Sequence, residues 1–269
     1  MKVGLALGAG SLRGYAHIGV LKALRRIGLE PDSLAGTSVG ASVAGIHAMG
    51  MTPAEMAETL DRCGEVLFRP TVPLSGFLSN RALKNFLKDV GGDTRIEELP
   101  IPLALVAADI ETHREVVFRR GLLWFGVLAS ISIPGVYPAL KVGPYTVVDG
   151  GVLNPVPTSV AAEGGADVVV GVRLAASPET PDRDVEATEA TGKRRNSALA
   201  VILRSIEIMQ SRIVTHPDGA SVITIEPQLR SVGGARLKNF AAGRRFIEAG
   251  EAAVETQLPR LASAFPWLR

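Results

Sequence analysis

The sequence predicts one three-layer α/β/α domain with a mostly parallel central sheet, spanning residues 1–269. Three observations carry this. Strand-like and helix-like runs alternate along most of the chain, many glycines gather where a strand hands over to a helix, and 269 residues suit a single large core. A 46% hydrophobic, 21% charged composition excludes a disordered chain. Lys+Arg 29 against Asp+Glu 27 leaves only +2, so no strong field points to nucleic acid or an acidic partner. The lone Cys63 excludes an internal disulfide framework or a thiolate zinc cluster.

Residues 3–7 read as a buried strand, 8–14 as a glycine loop and 15–27 as a helix with Ile18, Leu21 and Leu24 on one face. A strand over 32–36 and a small-residue helix over 39–49 follow. Thr52-Pro53 opens another helix, with threonine as cap and proline at the first helical position. A loop is expected over 64–80, a helix over 80–90, and strands over 101–108, 146–148, 166–174 and 220–225. The polar segment 175–195, with Pro178 and Pro181, reads as a mobile loop or lid margin. Beyond it Leu199, Ile202, Ile206, Met209 and Ile213 recur at helical spacing, and this amphipathic helix is expected to pack onto the sheet.

No targeting segment opens the chain, so the expected location is cytoplasmic. Two charge-free stretches, 33–54 and 121–140, do not read as membrane spans. The first is rich in glycine and serine, and the second carries Pro134 and Pro138. Any membrane contact is therefore expected to be peripheral and carried by apolar surface.

Gly36-Thr37-Ser38-Val39-Gly40 is a G-x-S-x-G run between a predicted strand and a predicted helix. A serine at such a turn is held in a strained backbone conformation that projects its hydroxyl. Its neighbours two residues away must lack side chains because other backbone passes close. The loop from Gly8 to Gly14 also joins a strand to a helix and offers free N–H groups to an anion. A dinucleotide fingerprint does not fit, because the third glycine comes one residue late, with Arg13 in its place. An oxyanion hole for a tetrahedral intermediate at Ser38 fits better.

A serine nucleophile needs a base. His47 lies nine residues beyond Ser38 on the same helix, about 13 Å away along the axis. His17 follows the glycine loop, His113 sits in a polar turn, and His216 lies between Thr215 and Pro217. The strongest acid candidate is Asp149, which ends a strand at Gly150-Gly151. A conventional Ser-His-Asp arrangement using His113 or His216 therefore stays open at this point, as does a catalytically weak binding or regulatory protein.

Together, the glycine loop ending in Arg13, the serine elbow and the distant Asp149-Gly150-Gly151 resemble the patatin-like phospholipase family. The run from Arg13 to Leu21 is similar to the helix after the family's oxyanion loop. Ala129 to Pro138 is similar to the segment before its aspartate, and Gly150 to Pro157 to the segment after it. The resemblance covers about 3–174 and is closest to short bacterial members related to the catalytic region of neuropathy target esterase. It implies a patatin-like α/β/α fold and hydrolysis of lipid acyl esters through an acyl-enzyme. It further implies a Ser38–Asp149 dyad without a histidine, an oxyanion loop at Gly10, Ser11, Leu12, Arg13 and Gly14, and elbow glycines Gly36 and Gly40. No cofactor and no metal are implied. The apolar stretch 122–136 is then expected to form an acyl-chain wall.

Overall fold

Strand β1 (Val3–Leu7) is buried along its whole length and lies at the centre of an eight-stranded sheet. The computed structural model describes residues 1–67, 80–174, 198–213, 219–229 and 240–268. β1 pairs in parallel with β2 (Ser33–Thr37) on one side and with β7 (Val168–Val172) on the other. β2 continues in parallel to β3 (Leu103–Asp109), and β7 to β8 (Ser221–Ile225). The expected parallel centre is therefore present.

The strands separate their side chains by size. Val3, Leu5, Leu7, Leu34, Leu103, Leu105 and Val170 enter one large core, while Ala6, Ala35, Ala104, Val106 and Val169 enter a smaller one on the opposite face. This is the period-two alternation of a strand covered on both faces. The large face receives α1 (Tyr15–Arg26), α2 (Val39–Ala48), α3 (Pro53–Leu67), α4 (Arg81–Gly91) and α5 (Leu123–Ser130). The small face receives the short α6 (Thr158–Ala162), which packs on β1, β2 and β7 through Val160 and Ala161. Only short strand side chains leave room for so close a helix.

The start of α3 follows its sequence signal. The Thr52 hydroxyl accepts the Glu55 N–H at 3.3 Å, and Glu55 Oε2 accepts the Thr52 N–H at 2.7 Å, a capping box with Pro53 in the first turn. The helix runs on to Leu67, so the loop expected over 64–80 starts later. Residues 68–79, the segment 175–195 and His216 lie outside the described residues.

Three antiparallel pairs depart from the parallel expectation. β4 (Arg114–Phe118) pairs with β3, β6 (Tyr145–Asp149) pairs with β3, and β5 (Leu140–Val142) pairs with β6. β4 and β5 escape sequence detection because neither is a buried apolar run: Arg114 and Glu115 are exposed, as is Lys141. The stretch 121–140 yields only the short α5 before the chain turns. Among the described residues no helix is long and apolar enough to cross a membrane.

Two further helices flank β8 along the chain. α7 (Ala198–Arg212) corrects an expectation. Its main packing partner is the turn after β6, Gly150–Val152, rather than the sheet. Ile206 and Ile213 are half-buried, but Ile202 and Met209 are exposed, and the Leu199 side chain lies outside the described residues. α8 (Phe240–Ala264), which the sequence analysis does not assign, packs along α1. A Cβ on Gly250 would collide with the Ala16 carbonyl, and one on Gly19 with the Ile247 carbonyl, so the two helix backbones are nearly in contact.

Candidate active site

The register of β3 explains how two residues 111 apart in sequence come together. Thr37 at the end of β2 stands level with Val106, and Asp149 at the end of β6 stands level with Ala107. β4 pairs with β3 from Leu105 to Asp109, overlapping both registers, so it must occupy the other edge. β2 and β6 therefore lie end to end along a single edge of β3, their C-termini facing each other. Asp149 thus reaches the carboxyl edge of the parallel strands from the opposite direction, on an antiparallel strand.

At the meeting point the chain turns sharply. Ser38 has φ 58° and ψ −125°, a left-handed conformation that costs an L-residue on the order of 1–3 kcal/mol. The turn folds α2 back against β1 and β2. A Cβ on Gly36 would lie 2.6 Å from the Ala41 Cα, and one on Gly40 would collide with the Leu7 carbonyl oxygen. The close backbone approach expected around the elbow is therefore present at both glycines.

Ser38 Oγ donates to Asp149 Oδ2 at 2.6 Å, and Asp149 Oδ1 accepts the Gly151 N–H at 2.8 Å. Both residues are buried. Burial pushes the Asp149 carboxyl up to about 6, against the pull of the Ser38 hydroxyl and the Gly151 N–H, which both favour the charged form.

Ser130, to which the sequence analysis assigns no role, mends the ladder where β2 stops. Its hydroxyl donates to the Val106 carbonyl at 2.6 Å, and its oxygen accepts the Ser38 N–H at 2.9 Å. The available signal was a serine closing an otherwise apolar helix, since a buried hydroxyl must find partners. The Thr37 hydroxyl donates to the Asn154 carbonyl at 2.9 Å, tying the elbow to the chain after Asp149.

In the glycine loop, the Gly8 N–H donates to Val172 and the Ala9 N–H to Pro155. The Arg13 N–H donates to the Gly10 carbonyl at 3.1 Å, so it is not available to a ligand. Among the described residues the N–H groups of Gly10, Ser11 and Leu12 have no acceptor, and Ser11 is held at φ 52°. The Arg13 side chain holds the loop: Nε donates to the Gly10 carbonyl at 3.2 Å, and Nη2 pairs with Glu207 of α7 at 2.7 Å. Gly14 is buried against Val39 beside the elbow.

The three described histidines make no bond to the serine or the carboxylate. His17 Nε2 donates to the Gly8 carbonyl at 2.8 Å, and burial drives its pKa down to about 4, so it stays neutral and anchors the loop. His47 lies towards the far end of α2, its pKa lowered first by burial. His113 is exposed in the β3–β4 turn. Among the described residues no histidine bonds to Ser38 or Asp149.

An apolar cavity of about 620 Å³, open to solvent, begins at Ser38 and is lined by Leu12, Val39, Leu60, Ile131 and Tyr137. Ile131 and Ile133 come from the stretch expected to wall an acyl chain. α7 meets the rim of this region at Arg13, at Gly151 through Gln210, and at Gly135 through Ile202.

Fold and site together are those of an α/β protein built around a serine elbow. A family model described as patatin-like phospholipase matches residues 5–162. The chain belongs to the patatin-like phospholipase family. An uncharacterized NTE family protein of Mycobacterium tuberculosis is 40% identical over 188 residues, 69% of this chain and 52% of that protein. Patatin-like phospholipase domain-containing protein 6 of Mus musculus is 31% identical over 188 residues, 66% of this chain and 14% of its own length. The chain thus spans about half the length of the mycobacterial relative. In fold it is similar to VipD from Legionella pneumophila, with a TM-score of 0.53, 15% identity, and 96% of this chain and 66% of that one covered.

Two predictions follow from the site's hydrogen bonds. Ser130→Ala leaves the Ser38 N–H and the Val106 carbonyl without their buried partner. It should lower unfolding free energy by about 1–3 kcal/mol in urea titrations. Asp149→Asn removes a carboxyl whose proton is held more tightly in the fold than in the unfolded chain. The stability linked to that proton is complete below the unfolded pKa of 3.8 and is lost as pH rises through about 6. The Asn variant should therefore exceed the wild type by up to about 3 kcal/mol at pH 8, a gap that closes as pH falls through 6.

Proposed function

We propose that this chain is a serine acyl hydrolase that cleaves fatty-acyl esters of phospholipids or lysophospholipids through Ser38 and Asp149. The observation that carries the reading is the 2.6 Å hydrogen bond from an elbow serine to a buried carboxylate, beside an apolar cavity. Family membership supports the substrate class.

Ser38 Oγ attacks the acyl carbonyl while its proton passes to Asp149 Oδ2. The carbonyl oxygen becomes an oxyanion that takes hydrogen bonds from the N–H groups of Gly10, Ser11 and Leu12. Asp149 returns the proton to the departing alkoxide, leaving an acyl-serine. Water then attacks the acyl carbon as its proton passes to Asp149, and Asp149 hands that proton to Ser38 Oγ as the ester bond breaks and the fatty acid leaves. A carboxylate near 3.9 is a weak base towards a hydroxyl, and one raised to about 6 is better matched to neutral pH while remaining mostly ionised there.

The substrate lies in lipid assemblies, and α7 supports peripheral docking on them. Val201, Ile208 and Met209 share its outer face, with Ile208 64% and Met209 55% exposed. Glu207 and Gln210, on the opposite face, meet the site's rim. With a net charge of +2, apolar surface rather than a basic patch carries the contact.

A lipid-ester panel tests the chemistry. Ser38→Ala and Asp149→Asn should each lose at least about a thousandfold in kcat/KM, while His113→Ala and His216→Ala keep activity. Wild-type kcat/KM should fall about tenfold per pH unit below about 6 and level off above. A several-thousandfold loss in a folded histidine variant would overturn the dyad, and lipid binding without turnover would indicate a binding protein.

Vesicle sedimentation tests docking. Binding to phosphatidylcholine vesicles should change little with salt. It should fall at least about tenfold in Ile208→Ser/Met209→Ser, since each buried apolar side chain contributes roughly 1.5–3 kcal/mol. Unchanged partitioning of that variant would exclude α7 as the docking face.

A further inference from the structure

Beside the cavity at Ser38 lies a second hollow, also open to solvent, lined by residues of α2, α3, α4 and α5. Ile46, Met49, Phe86, Leu87, Val90 and Val127 contribute to its walls, and among the described residues no charged side chain lines it. Thr59, which also lines it, already donates its hydroxyl to the Glu55 carbonyl at 2.8 Å. A polar ligand would find almost no partners there, whereas an alkyl chain needs none.

Ser42, Leu60 and Cys63 line both cavities. α2 connects the two along one face. Ser38, Ser42, Gly45, Ile46 and Met49 follow the spacing of three and four that stacks side chains in a row. Ser38 and Ser42 face the first space, and Ser42, Gly45, Ile46 and Met49 face the second. Burial pushes the Cys63 thiol up to about 12, so this residue adds no charge to the passage.

We propose that the two cavities form one acyl-chain tract. Ser42, Leu60 and Cys63 make the neck between a proximal compartment at Ser38 and a distal one that holds the far end of a long fatty-acyl chain. This rests on the reading of Ser38 as the residue that accepts the acyl group.

The lengths fit a long chain. At 1.5 Å per residue, Ser42 lies about 6 Å beyond Ser38 along α2, and Met49 about 16 Å beyond it. An extended alkyl chain advances about 1.25 Å per carbon, given C–C bonds of about 1.5 Å at tetrahedral angles. A chain of about five carbons ends at the neck, and one of about thirteen reaches Met49. Each methylene buried beyond the neck should multiply affinity by about four.

Gly45 is the position from which to block the distal compartment. A Cβ there would come 3.3 Å from Leu123 Cδ1, so a longer side chain has only the cavity to enter. The test uses Gly45→Leu and, independently, Val90→Trp in the full chain. Circular dichroism and fluorophosphonate labelling of Ser38 check that each variant is folded.

The ratio of kcat/KM for the p-nitrophenyl dodecanoate and butanoate esters should fall at least tenfold in both variants. In a Ser38→Ala background, dodecanoate should displace cis-parinaric acid at least tenfold less well once Gly45→Leu is added. An unchanged ratio and unchanged displacement in folded variants would overturn the tract. If the wild type hydrolyses neither ester, the hydrolase reading fails, and fatty-acid displacement alone decides the tract.

Discussion

Two strands that stop head-on along one edge of β3 are the constraint on which the site depends. β2 arrives level with Val106 from one direction and β6 level with Ala107 from the other. Neither can continue, since each would run into the other. The gap is where Ser38 turns out of the sheet at φ 58°, and the Ser130 hydroxyl takes over the ladder bond that β2 no longer makes. A break in a sheet normally exposes unpaired backbone groups at a cost. Here a side chain supplies the partners and leaves the serine and the carboxylate facing each other.

The electrostatics follow from that enclosure. Asp149 is buried and, among the described residues, has no cation against it, so desolvation outweighs its two hydrogen bonds and its proton is held more tightly than usual. The nearby charges that could reverse this are occupied. Arg13 is committed to the Gly10 carbonyl and Glu207, and His17 is kept neutral by its own burial. The same low-dielectric surroundings that raise the acid also suit an apolar substrate, and the cavity walls continue that environment away from Ser38.

Much of this was legible in the residues. Gly36 and Gly40 announced a tight crossing because only glycine lets Gly36 of β2 lie so close to Ala41 of α2, and Gly40 of α2 so close to Leu7 of β1. Thr52-Pro53 with Glu55 announced a helix start, since capping is local chemistry. β4 and β5 stayed hidden because edge strands held mainly by backbone bonds carry little apolar pattern. The partners of Ser130 and the Glu207 partner of Arg13 stayed hidden too, because each lies far away in sequence. α7 misled for a different reason. Periodicity marks an apolar face but not what that face meets, and here much of it meets solvent.

The sequence by itself determined the parallel α/β scaffold, the elbow and the glycine loop, because these rest on local sterics and strand–helix alternation, whereas the pairing of Ser38 with Asp149 came only as what the family resemblance implies. Only the tertiary structure decided that Ser38 and Asp149 lie 2.6 Å apart, which loop N–H groups lack an acceptor among the described residues, and where α7 rests. Those outcomes depend on the register of β2 and β6 against β3. Register is set by how whole faces pack, which no short stretch of residues encodes alone.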